Sequence, residues 1–169
     1  MVEVPQTVVV TGVAGSGKST VSEALAARTG AVVLDADDFH PAANVAKMAS
    51  GTALTDADRE PWIDALADEI ARRAACRERV VLACSALRRA HRSRLRSAAD
   101  DVVLVHLDVS VPELRRRLVD RVGHFMPAAL LDSQLEALEL PDPERTVLVD
   151  ADGPVEEVVD EVLRRVGRS

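Results

Sequence analysis

The chain contains no tyrosine, and aromatic residues make up only 2% of its 169 residues. A core therefore has to be assembled from Val, Leu, Ile and Ala, within an apolar content of 47%. Cysteine is scarce as well: Cys76 and Cys84 form no CxxC pair and no Cys/His cluster. Neither a structural zinc site nor a disulfide framework is indicated, and both thiols are expected to be free. Basic residues are outnumbered, with a formal net charge of −7. This argues against a general nucleic-acid binder and against docking on an anionic membrane surface. Any anionic ligand must be held by a local cationic site, because the global field repels it. No apolar run reaches the length of a membrane span, and the first residues carry neither a basic stretch nor a long apolar stretch. A cytoplasmic location is the expectation, and the length suits a single domain with a substantial core.

Short β-branched runs alternate with longer amphipathic stretches. Strands are predicted at 7–11, 31–35, 79–84, 102–107 and 146–149, and helices at 18–28, 56–76, 86–97, 111–122 and 154–166. The strand runs are continuously apolar, as suits strands covered on both faces. Trp62, Leu66 and Ile70 recur at four-residue steps, Thr55 and Asp58 have the spacing of a capping box, and Gly30 stands where a left-handed helix cap belongs. The alternation predicts an α/β fold with a doubly wound parallel sheet of about five strands. In such sheets ligands bind beyond the carboxyl ends of the strands. Residues 37–54 and 123–143 interrupt the alternation. They are read as an acceptor-binding segment and a closing lid.

The most specific local signal is G-x-x-x-x-G-K-[ST] at residues 12–19, directly after the first strand. Gly12, Val13, Ala14, Gly15, Ser16, Gly17, Lys18, Ser19 and Thr20 are the expected nucleotide-binding residues. Glycines let the main chain wrap closely around a phosphate, and inward N–H groups with the following helix N-terminus make an anion nest. Lys18 would reach the β- and γ-phosphates of ATP, and the Ser19 hydroxyl would hold Mg²⁺.

Asp35, Asp37 and Asp38 end the second strand. In an extended chain Asp35 and Asp37 share a face. Asp37 is assigned to orienting and deprotonating an acceptor hydroxyl, and Asp35 to the metal's water shell. The competing reading is that these carboxylates cap the next helix. Cations available to an anionic acceptor are His40, Lys47, Arg59, Arg88, Arg89 and Arg92, against the alternative of solvated helix faces. Arg59 is singled out because it opens a helix, where the dipole does not favour a cation. Ser85 supplies the nearest hydroxyl after the third strand. Arg117 and Arg121, four apart, suit adenine and the transferring phosphoryl group, or else a salt-bridged outer face.

The motifs together resemble the gluconate kinase (gluconokinase) family over nearly the whole chain. The segments carrying the likeness are the phosphate loop, D-A-D-D-F-H-P at 35–41, Lys47-Met48, L-T-D-A-D-R at 54–59 with Pro61-Trp62, C-S-A-L at 84–87, and G-H-F-M-P at 123–127. The resemblance implies a fold like nucleoside-monophosphate and shikimate kinases. It also implies ATP- and Mg²⁺-dependent phosphorylation of D-gluconate to 6-phosphogluconate, and a dimer. It places Asp37, His40, Arg59 and the C-S-A-L segment toward gluconate, and Arg117, Arg121 and His124 on the ATP side and lid. Arg88, His91 and Leu135 depart from residues usual in the family (Lys, Tyr and Phe). A related kinase acting on shikimate or a nucleoside monophosphate is the alternative. A guanine-reading switch protein is disfavoured, because the sole asparagine, Asn44, lies outside any N-K-x-D segment.

Overall fold

The computed structural model describes residues 3–120 and 128–167. Five strands form one parallel sheet: β1 (Thr7–Thr11), β2 (Val32–Asp35), β3 (Val80–Ala83), β4 (Val102–Asp108) and β5 (Val147–Asp150). Their spatial order is β2-β3-β1-β4-β5. Register is continuous across the middle, with Val9 of β1 opposite Leu82 on one side and Leu104 on the other. The order places β1 at the centre, so the loop that follows it opens where strands lead away on both sides.

The helices are α1 (Lys18–Thr29), α2 (Ala42–Ala49), α3 (Asp56–Ala75), α4 (Arg89–Arg96), α5 (Val111–Asp120), α6 (Ala128–Ala137) and α7 (Val155–Val166). The sheet separates two apolar layers. Val8 and Val10 join Leu25 of α1 and Val159 and Val162 of α7 on one face. Val9 joins Trp62, Leu66 and Ile70 of α3 and Leu95 of α4 on the other. Alternating side chains thus divide the consecutive valines between two cores. Burying each contributes about 1.5–3 kcal/mol.

The predicted five-strand doubly wound sheet is what forms. Strand β2 departs from the expectation of double cover, since Val32 and Val33 are 41% and 38% exposed. It lies at the sheet edge, so only one side finds a neighbouring strand. The capping box at Thr55 is complete: Asp58 N–H donates to Thr55 Oγ1 and Thr55 N–H donates to Asp58 Oδ2. Gly30 adopts φ 69° and its N–H donates to Ala26 O. The two interrupting segments contain elements that the strand–helix alternation does not predict. A 3₁₀ turn (Ala36–Phe39) and α2 fill the first. Helix α6 occupies much of the second, and its Leu131 is fully buried. Among the described residues no helix is long and apolar enough to cross a membrane.

Candidate active site

The loop between β1 and α1 bends on three glycines with positive φ: Gly12 (151°), Gly15 (82°) and Gly17 (91°). At Gly12 a Cβ would fall 2.6 Å from Ser16 Oγ and 3.3 Å from Leu107 O, so both backbone angle and space demand glycine. Val13, Ala14 and Ser16 are buried in the loop, and Ser16 Oγ has no hydrogen-bond partner among the described residues. Lys18 lies in the first turn of α1, where its Nζ donates to Val13 O at 3.1 Å. Ser19 and Thr20 are exposed beside it.

Beyond the loop opens a cavity of about 620 Å³ lined by Gly15, Gly17, Thr20, Arg117, Asp152 and Pro154 among others. Of the two sequence readings of Arg117, the salt-bridged face is the one that forms. Its Nε donates to Glu113 at 2.8 Å, the salt-bridged face, while its Nη2 donates to Ala151 O at 2.6 Å and its Nη1 lies 3.3 Å from Gly15 O. Arg117 therefore ties the phosphate loop to the β5 exit and forms a cavity wall. Arg121 and His124 lie outside the described residues.

At the end of β2 the expected shared face of Asp35 and Asp37 is not what forms. The chain turns at Ala36 into the 3₁₀ element, and Asp35 Oδ1 accepts from Asp37 N–H at 2.9 Å. Asp35 is thus the cap that the competing reading proposed, with one carboxylate oxygen engaged. The turn nevertheless keeps the two carboxylates close. Burial, then the neighbouring Asp35, push the Asp37 carboxyl above its ordinary range, while His40 and Lys18 act in the opposite sense. The Lys18 ammonium and the Asp37 carboxylate are thus near enough to act on one another electrostatically.

His40 stacks on Trp62 with ring centroids 4.2 Å apart. Trp62 Nε1 donates to Ala36 O at 2.7 Å, fastening the turn that carries Asp37. Asn44, buried on α2, reaches His40 Nδ1 at 3.3 Å and donates to Asp58 O at 2.8 Å. Burial lowers the His40 pKa; Asp37 raises it and Arg59 lowers it further, so His40 feels both the acid and the arginine. Arg59 Nη1 lies 3.4 Å from Asp56, and Arg88 Nε lies 3.5 Å from the same carboxylate. Two guanidiniums thus share one acid. His91, where burial lowers the pKa first and Arg59 next, belongs to the same group. Lys47 is instead paired with Asp58 at 2.8 Å.

Ser85 follows β3, half-buried, and Ala86 after it adopts φ 40°. A non-glycine residue in that region stores strain that surrounding contacts must hold. The holder is Arg92, for which the sequence suggests no such bracing role. Its buried guanidinium donates to Ala86 O, Leu87 O and Glu139 O at 2.9, 3.0 and 2.7 Å. With three of its five donors on these carbonyls, Arg92 shapes the loop. Sequence reasoning also missed Asn44, Asp56 and Gln134 at the site. Each is an ordinary helical polar residue until the chain folds, and no spacing marks them.

Residues 8–141 match the AAA domain family. Over 95% of its length the chain is 44% identical to a gluconokinase of Gluconobacter oxydans, covering 90% of that protein, and 43% identical to a probable gluconokinase of Xenopus tropicalis, covering 93% of it. The chain belongs to the gluconokinase family. A solved gluconokinase from Sinorhizobium meliloti, 44% identical, superposes with a TM-score of 0.88 over 97% of this chain and 93% of that one. Shikimate kinase from Bacteroides thetaiotaomicron, at 21% identity and a TM-score of 0.69 over 94% of this chain and 97% of that one, shares the fold alone.

Proposed function

We propose that this chain transfers the γ-phosphoryl group of ATP to D-gluconate, giving 6-phosphogluconate and ADP. The observation that carries the reading is the convergence of Asp37 with Lys18, flanked by His40 and the Arg59–Arg88 pair. A sugar acid needs a carboxylate receptor and a base for its hydroxyl, and this group supplies both. The acceptor oxygen bonds to the γ-phosphorus while the bond to the ADP oxygen breaks, and the hydroxyl proton passes to Asp37. Those main-chain amides of 12–19 not engaged within the protein hold the phosphates, and Lys18 screens the charge that develops on the transferring group. Arg59 and Arg88 hold the gluconate carboxylate, with His40 and Ser85 toward its hydroxyls.

The residues present suit Mg²⁺. Among the described residues no group of three or more His, Cys, Asp or Glu could cage a metal. A hydroxyl from Ser19 and the unengaged oxygen of Asp35 are the hard donors that a phosphate-bound Mg²⁺ needs, directly or through water. When bound, the ion neutralises phosphate charge.

The test is ADP release with fixed ATP and a panel of gluconate, shikimate and AMP. Stimulation by gluconate alone is expected. Turnover that answers to shikimate or AMP, and not to gluconate, overturns the assignment.

A further inference from the structure

Gln134 lies on α6, far from the phosphate loop in sequence. Its Oε1 accepts from Ala14 N–H at 2.7 Å. Lys18 Nζ donates to Val13 O at 3.1 Å. Val13 O and Ala14 N belong to one peptide group, so an ammonium and a carboxamide grip opposite ends of the same plane. In a P-loop the lysine is the side chain that reaches the terminal phosphates. The Gln134 head thus lies across one peptide group and two hydrogen bonds from the Lys18 ammonium, about 7–8 Å away, at the border of the phosphate loop. A carboxamide carries one acceptor and two donors. The acceptor is anchored on Ala14, which orients the group, while the Nε2 donors have no partner among the described residues. Gln134 is only half-buried, so a ligand can reach these donors.

Helix α6 is held in place from its far side. Glu139 N–H donates to Leu87 O, its Oε2 accepts from Arg89 N–H at 2.5 Å, and its carbonyl accepts from Arg92. The segment that carries Gln134 thus spans from the nucleotide loop to the acceptor loop, and its carboxamide sits at the donor end of that span.

We propose that Gln134 is a further catalytic residue, whose Nε2 donates to an oxygen of the phosphoryl group being transferred. Its Oε1, fixed by Ala14, sets the direction of that donation. This rests on the phosphoryl-transfer reading above, but part of its test does not depend on the acceptor.

Gln134→Glu separates the roles. It keeps an acceptor for Ala14 N–H, removes both donors and puts negative charge beside the phosphoryl oxygens. Thermal stability is expected to match wild type, with kcat reduced about ten- to hundredfold, the size of a hydrogen bond to a charged group, and KM for gluconate little changed. Without acceptor, calorimetry should show affinity for a non-hydrolysable ATP analogue falling about tenfold or more, while affinity for ADP, which lacks the terminal phosphoryl, is nearly kept. Gln134→Ala should lower the same ratio of affinities, and decides the matter if the Glu variant folds poorly. A merely tethering Gln134 would leave Gln134→Glu fully active, or would weaken ATP-analogue and ADP binding equally; either result overturns the proposal. A wild-type protein that no sugar acid stimulates would sink the gluconate assignment and leave the nucleotide comparison to decide Gln134.

Discussion

The imidazole of His40 lies on the indole of Trp62, their planes 14° from parallel, while the indole N–H holds the carbonyl of Ala36. One buried tryptophan thus supports both a candidate acceptor ligand and the turn that presents Asp37. Trp62→Phe keeps a ring for the stack but strands the Ala36 carbonyl. An unmet buried acceptor costs about 1–3 kcal/mol. Thermal denaturation should show a lower Tm, and kinetics should show a raised KM for gluconate with KM for ATP nearly unchanged.

Asp37 should trade stability for activity. An acid with a raised folded-state pKa favours the folded protein while protonated, and that advantage is lost as pH climbs through the folded-state value. Burial and then Asp35 raise it here. Asp37→Asn is therefore expected to have a higher Tm than wild type at neutral pH, with the difference shrinking toward acid. The same variant should lose gluconate-stimulated ADP release while still binding nucleotide. In wild type, the acid limb of kcat/KM should lie above the ordinary aspartate range.

Gly12 and Gly30 both have positive φ, but only one is hemmed in. Gly12→Ala drives a Cβ to 2.6 Å from Ser16 Oγ, whereas at Gly30 nothing lies within 4 Å. Gly12→Ala should abolish nucleotide binding by calorimetry. Gly30→Ala should cost only the left-handed backbone penalty, about 1–2 kcal/mol, with kcat and KM unchanged.

His106 supplies a pH dependence of stability. It is buried at the end of β4, with Nδ1 3.1 Å from Thr11 Oγ1, and burial pushes its pKa down to about 4 against the pull of Asp108. Because the folded-state value lies below the unfolded one, its contribution is complete above about pH 6.5 and is lost as pH falls toward 4. His106→Asn should flatten the curve of unfolding free energy against pH across that window, measured by urea titration. A slope there equal to wild type would remove His106 as the cause.

Much of the site was legible in the sequence because its determinants are local. The glycine spacing of 12–17 dictates the loop's φ angles, and the Thr55–Asp58 pair dictates its cap, whatever packs around them. Asp37 was legible as a candidate because it closely follows a strand. Its relation to Asp35 was misread, since strand alternation stops where the 3₁₀ turn begins. Arg92 could be recognised as a cation, but not as the brace of Ala86 and Leu87. That role depends on Glu139, 47 residues away, arriving beside it.

The sequence by itself determined a β–α alternation, a phosphate loop and the apolar inventory of two cores, since each follows from short-range periodicity and backbone chemistry. Only the tertiary structure decided that β1 is central and β2 an edge, that Asp56 is shared by Arg59 and Arg88, and that Gln134 meets Ala14. The physical reason is that strand order and such contacts are fixed by how the layers bury apolar surface together, and residues distant along the chain carry no local mark of the neighbour they will meet.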